Sequence, residues 1–125
     1  MAIKFNSRIL LNDKPLAVEL CVAAGFVARL RGLLFTDSLS PNHGMYIKSC
    51  SEVHSFGMAY PLDIVFLDNE SKIIRVDILP RHSMRRCRDA TAVIELSEGS
   101  VEILGMKLGD LLSFCSQSEF EEVLS

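Results

Sequence analysis

The sequence predicts a mainly β (α+β) domain: a compact antiparallel β-barrel or sandwich of about seven short strands, with two or three short helices. Three observations carry this. Leu62 to Leu67 is an apolar run broken only by Asp63, and Lys72 to Leu79 alternates, so two strands flank an Asp68-Asn69-Glu70-Ser71 turn. Similar short runs recur along the chain between Gly, Pro, Asn and Asp clusters. No β-α-β alternation of the kind that builds a parallel sheet is present. The 125 residues, 49% hydrophobic and 23% charged, suit one domain over residues 1–125 that needs no disulfide or metal to fold.

Taken in order, Ile3 to Leu11 is apolar enough for a strand or a pair of strands, and Asn12-Asp13-Lys14-Pro15 is turn chemistry. Leu16, Val18 and Leu20 share one face of a second strand that hairpins back on the first. Phe26, Leu30, Leu33 and Leu34 recur at helical spacing, which predicts a short helix from Ala23 to Leu34 ending near Gly32. Thr36 to His43 reads as a loop and Gly44 to Ile47 as a brief strand. His54 to Pro61 is a polar loop that feeds the Leu62 strand. In Lys72 to Leu79 the pattern turns Ile74, Val76 and Ile78 inward, and Arg75 and Asp77 outward. Pro80 to Asp89 reads as a basic loop and Thr91 to Leu96 as a strand. Ser97 to Ser100 cap a short helix that runs to Leu104 and stops at Gly105. Gly109-Asp110 turns into a last strand, Leu111 to Cys115, and a frayed acidic helix begins at Ser118.

Composition excludes several functions. A formal net charge of −3 and a pI near 5.6 argue against nucleic acid or anionic lipid as a partner. Met1 to Arg8 lacks the apolar core of a signal peptide, and no window reaches the ~18 apolar residues of a membrane helix. A soluble, cytoplasmic protein is expected. Cys21, Cys50, Cys87 and Cys115 are widely spaced and most simply free thiols. Cys50 and His54 stand four apart, but no second short pair completes a metal set with Cys87, His82 or His43, so neither metal nor cofactor is expected.

Four polar features and a set of methionines compete for a function. Asp63 shares a strand face with Val65 and Leu67, so its carboxylate must be paired, hydrogen-bonded or protonated. It is either a ligand anchor or a structural group that caps the Ala59–Leu62 backbone or pairs with Arg29. His54 is a base or anchor beside Asp63, or a loop histidine bonded to a carbonyl. Met58, with Met45 and Met84, lines a pocket or fills core. Arg81, Arg85, Arg86 and Arg88 form an anion-binding loop or a solvated one, and they favour a thiolate at Cys87 between them. Glu95 and Arg29, each embedded in an apolar segment, read as structural polar groups in a buried ion pair or a hydrogen-bond network that fixes the helix on the sheet.

An ordered set of motifs goes further. Arg29-Leu-Arg-Gly-Leu33, Gly44-Met45, Phe56-Gly-Met-Ala-Tyr-Pro-Leu-Asp-Ile-Val-Phe-Leu-Asp68, Ala92-Val-Ile-Glu-Leu-Ser-Glu-Gly99 and Leu108-Gly-Asp110 follow one another at family spacing. From about residue 15 to 115 the chain resembles the domain of unknown function 192 family, in a His-x-Phe-Gly-Met branch that lacks the Lys-Asn pair of many members. The resemblance implies a compact β-rich domain and no agreed activity. Residues and resemblance leave three readings. The first is a small binding or accessory domain with a pocket formed by His54, Met58, Asp63 and Arg29. The second is an enzyme using His54 and Asp63 as acid and base on a small anion. The third is a protein-interaction domain without a pocket. The partner is an unknown small molecule or protein.

Overall fold

The structure, a computed structural model, describes residues 5–24 and 39–124. Among these residues nine strands and two short helices follow one another: β1 (Ser7–Leu11), β2 (Lys14–Ala24), β3 (His43–Lys48), β4 (Glu52–His54), β5 (Leu62–Leu67), β6 (Ile73–Leu79), β7 (Met84–Arg86), β8 (Ala92–Ser97), α1 (Ser100–Leu104), β9 (Leu112–Ser116) and α2 (Gln117–Leu124). Seven strands form one sheet in the order β6-β5-β8-β3-β2-β1-β9, and β4 and β7 form a separate two-stranded ribbon.

The mainly β expectation holds, with two corrections. The sheet is not closed into a barrel. Its edges meet only at one corner, where Lys72 bridges Leu111 and the Ile73 N–H donates to the Asp110 carbonyl at 2.9 Å. No ladder joins β6 and β9 among the described residues, so the domain is sandwich-like. The sheet is also not wholly antiparallel, because β2 and β3 pair in parallel. Residues 25–42 between them are long enough for the crossover that a parallel pair requires. β2 itself extends through Ala24, into the start of the expected Ala23–Leu34 helix. The remainder of that helix, with Arg29, lies outside the described residues.

The local signals explain the rest. Asn12 and Asp13 both have positive φ, 48° and 68°, which is the backbone a two-residue hairpin turn needs, and Leu11 pairs with Lys14 across it. The Asp68 carboxylate accepts the N–H groups of Glu70 and Lys72, each at 2.9 Å, and so closes the β5–β6 turn. These bonds, that from Lys72 above all, hold its carboxyl below the ordinary range. Gly105 ends α1 in a left-handed conformation, as its place after Leu104 predicts. The acidic tail is anchored as well as helical: Phe120 is buried and the Arg8 guanidinium lies 3.8 Å over its ring.

Two apolar clusters cover the two faces of the sheet. The inner one, on the curled side, holds Ile9, Val18, Leu20, Val65, Leu67, Ile94 and Leu96. The outer one holds Met45, Ile47, Val53, Met58, Leu62, Ile64, Phe66 and Val93. β5 serves both, and all six of its residues are buried, which is why it reads as a nearly unbroken apolar run. Strands β3 and β8 approach closely at Gly44. A Cβ there would meet the Leu96 side chain at 2.6 Å and the Glu95 carbonyl at 3.2 Å. Two expectations in β6 fail. A register shift opposite Phe66 and Leu67 leaves Ile74 packed against the outer cluster while Val76 packs against the inner one, so Ile74, Val76 and Ile78 do not share one face. Ile78 is 50% exposed, because it stands opposite Asp63 at the end of the inner face.

Candidate functional site

Asp63 is 5% exposed, and its Oδ2 accepts the Val101 N–H at 2.9 Å. Val101 lies in the first turn of α1, whose N-cap residue, Gly99, has no side chain to offer and sits at φ 90°. A carboxylate from β5 thus does the capping that a Ser, Thr or Asp at the N-cap would do. The Asp63 carboxylate therefore reaches α1, rather than the Ala59–Leu62 backbone named among its structural alternatives.

His54 faces elsewhere. Its neighbour Val53 is wholly buried in the outer cluster, so strand alternation turns His54 to the far side of the β4–β7 ribbon, away from the sheet. Asp63 points to the inner face of β5 with Val65, while the ribbon lies over the outer face. The structure does not bring His54 and Asp63 together. Met58, 2% exposed, belongs to the outer cluster. Glu95 is wholly buried on that same face, between its ladder partners Met45 and Ile64. Its expected pairing with Arg29 falls outside the described residues.

The ribbon is what the sequence reading missed. A short strand leading into the expected loop His54–Pro61 pairs with one in the middle of the expected loop Pro80–Asp89: Glu52 with Arg86, Val53 with Arg85 and His54 with Met84. Three-residue strands carry too little alternation to be read from a single sequence. Ser55 fastens the ribbon to β6: it is wholly buried, its hydroxyl donates to the Pro80 carbonyl and accepts the Ser83 N–H at 2.9 Å, and its own N–H donates to the Ser83 carbonyl at 2.9 Å.

On the outward side the ribbon gathers His54, Met84 and, 5.1 Å from the His54 ring, Phe56. Met84 is 52% exposed and Phe56 54%. The arginines around them divide. Arg85 and Arg75 both reach Asp77 Oδ2, at 3.3 and 2.6 Å, and Arg86 lies 3.9 Å from Glu52. Arg75 also donates to the Arg86 carbonyl at 2.8 Å, tying the edge of the main sheet to the ribbon. Arg81 and Arg88, at the two ends of the segment, are exposed and their guanidinium groups have no partner among the described residues. Five arginines (75, 81, 85, 86 and 88) stand against Glu52, Asp77 and Asp89 on this side of a chain whose net charge is −3.

Partial burial pushes the Asp77 carboxyl up, but the Ile78 N–H and the Arg75 and Arg85 charges outweigh it and hold the carboxyl below its ordinary value. A depressed pKa contributes stability above the unfolded value and loses it as pH falls through the folded one. Asp77→Asn is therefore expected to cost about 1 kcal/mol or less near neutral pH. Its urea midpoint should converge on that of the wild type as acid takes the pH down through the depressed folded-state value of Asp77. A gap that persists in acid would mean that Asp77 acts through packing and not charge.

Among the described residues no group of three or more His, Cys, Asp or Glu is placed to hold a metal ion. No described helix is long and apolar enough to cross a membrane.

Fold and surface together define a small curled β-sheet domain with a cationic ribbon packed on its outer face. The model of the DUF192 family, described as "Uncharacterized ACR", matches residues 8–114, and the chain belongs to that family. No curated protein matches it significantly. Two solved structures are similar to it in fold. A putative transcription regulator from Sinorhizobium meliloti has a TM-score of 0.78 at 22% identity, over 91% of this chain and 96% of that one. A protein of unknown function from Novosphingobium aromaticivorans has a TM-score of 0.70 at 18% identity, over 86% and 83%.

Proposed function

We propose that this protein is a binding domain that takes an acidic segment of another protein on the outward face of the β4–β7 ribbon. The observation that carries the reading is that Phe56 and Met84 are exposed at the ribbon, while Arg81 and Arg88, which flank β7 in the chain, are exposed and have no carboxylate partner among the described residues. Exposed apolar side chains rimmed by uncompensated charge are what a polar partner with an apolar anchor needs. Arg81 and Arg88 lie on either side of β7, so the cationic ends flank the apolar middle. That layout suits an extended segment better than a compact ligand. His54 sits at the centre as a hydrogen-bonding group. Arg85 and Arg86 hold the ribbon in shape through Asp77 and Glu52 and add to its positive potential.

Asp63 and Met58, the other anchors expected from sequence, support the scaffold in this reading. An acid/base role for His54 and Asp63 has no support from the geometry, since the two face opposite sides of β5. The Sinorhizobium structure is described as a putative transcription regulator. At its level of identity it shares the fold alone, and the exposed apolar side chains Phe56 and Met84 favour a protein over a duplex.

A fluorescein-labelled peptide of glutamates around one leucine, and a labelled DNA duplex, test this by anisotropy. The peptide is expected to bind, more weakly as salt rises, and Arg81→Glu/Arg88→Glu should reduce the affinity about tenfold or more. Phe56→Ser should weaken it without changing the salt dependence. Absence of peptide binding, equal binding by the charge-reversed variant, or a preference for the duplex would overturn the proposal.

A further inference from the structure

We propose that Cys50 and Cys87 form a thiol–disulfide site that locks the ribbon to the main sheet. Cys50 lies in the short link from β3 to β4, and Cys87 directly follows β7. The Cys87 N–H donates to the Ser51 carbonyl at 2.9 Å, which carries the ribbon ladder one pair beyond Glu52 and Arg86. Cys50 is therefore one residue along from the position that faces Cys87. With strands about 5 Å apart and a rise of about 3.4 Å per residue, their Cα atoms lie about 6 Å apart, within the span of a disulfide.

Regular alternation would send the two side chains to opposite faces. Ser49, at φ 53°, turns the chain just before Cys50, and both cysteines pack against the same outer cluster. They differ in access. Cys50 is 9% exposed and its thiol donates to the Glu52 carbonyl at 3.1 Å. Cys87 is half-buried, with Arg86 and Arg88 as its chain neighbours. Cys87 is thus the nucleophile and Cys50 the resolving thiol. Cys21 also packs against the outer cluster, but the ladders keep both remaining cysteines away from the link between β3 and β4. Cys21 is in the interior of β2 opposite Met45, and Cys115 is on β9 at the far edge of the sheet. Burial and the nearby Glu119 push the Cys115 thiol up, which makes it a poorer nucleophile.

The chemistry needs an oxidant, and a small disulfide such as oxidised glutathione supplies it. The Cys87 thiolate attacks one glutathione sulfur, its proton having gone to solvent, and one glutathione leaves as the thiolate. The Cys50 thiolate then attacks the Cys87 sulfur, releases the second glutathione and leaves the Cys50–Cys87 bond. Two protein thiols are oxidised and one glutathione disulfide is reduced to two thiols. The product ties the end of β3 to the end of β7 and so holds the recognition ribbon against the sheet.

Oxidised glutathione is added to the intact reduced protein, the reaction is quenched by alkylation, and the peptides are mapped without reduction. The expected product is a monomer that has lost two of its four thiols and yields one cross-linked pair containing Cys50 and Cys87. Cys50→Ser should stop at a glutathione adduct on Cys87. Cys87→Ser should form any adduct on Cys50 about tenfold more slowly or worse, because Cys50 is buried. Survival of all four thiols, a bridge between any other pair, or no accumulated adduct in Cys50→Ser would overturn the proposal. The result is independent of whether acidic peptides bind the ribbon.

Discussion

Phe66→Ala is expected to lower the free energy of unfolding by about 3–5 kcal/mol, the usual cost of emptying a fully buried aromatic site. Phe66 is wholly buried at the centre of the outer cluster, on the strand that both faces of the sheet depend on. The loss has a second part. Arg75 is the cross-strand partner of Phe66, and its guanidinium lies 5.7 Å from the ring centroid. That same guanidinium bonds Asp77 and the Arg86 carbonyl, so a cavity at Phe66 also loosens the attachment of the ribbon. For a domain whose total stability is about 5–15 kcal/mol, the variant should unfold at much lower urea or not fold at all. Phe66→Leu, which keeps most of the volume, should cost about 1.5 kcal/mol or less. Urea denaturation of the three proteins decides the matter. A cost near that of the leucine variant would show that the outer cluster does not close around Phe66 as described.

Asp63→Ala carries the next largest effect, about 2–3 kcal/mol of destabilisation, because it strips the Val101 N–H of its charged acceptor at a partly buried helix start. Asp63→Asn keeps an acceptor oxygen but not the charge, and should cost about half as much. The damage is expected to be local. Amide exchange should rise first in α1, at Val101 to Leu104, while peptide affinity at the ribbon stays unchanged in any variant that folds. Loss of binding by folded Asp63→Asn, with α1 still protected, would return Asp63 to the recognition site and count against a purely capping role.

How much of this was legible depends on the length of the signal. The β5–β6 hairpin was readable because an apolar run, an Asp/Asn turn and an alternating run sit next to each other in the chain, and the backbone bonds they imply are local. The α1 boundaries were readable from Gly99 and Gly105 for the same reason. The burial of Asp63 was readable from the apolar face it shares with Val65 and Leu67, but its partner was not. Val101 lies 38 residues further on, and nothing in the local pattern points to it. The importance of His54 and of the arginine cluster was raised separately from each. That Met84 is the ladder partner of His54 was hidden, since two three-residue strands have no periodicity to detect. The exposure of Ile78 was misread because alternation predicts a face and not what covers that face.

By itself, then, the amino-acid order determined the class of fold, most of the strands, the two short helices and the family, all of which follow from patterns that repeat every two to four residues or from motifs in fixed succession. Only the tertiary structure decided that the sheet stays open, that β2 and β3 run parallel, that Asp63 caps a helix, and that two loop-like segments join in a ribbon where His54 pairs with Met84. Each of those depends on residues far apart in the chain, whose meeting is set by packing against a shared core and leaves no trace in the local pattern of either partner.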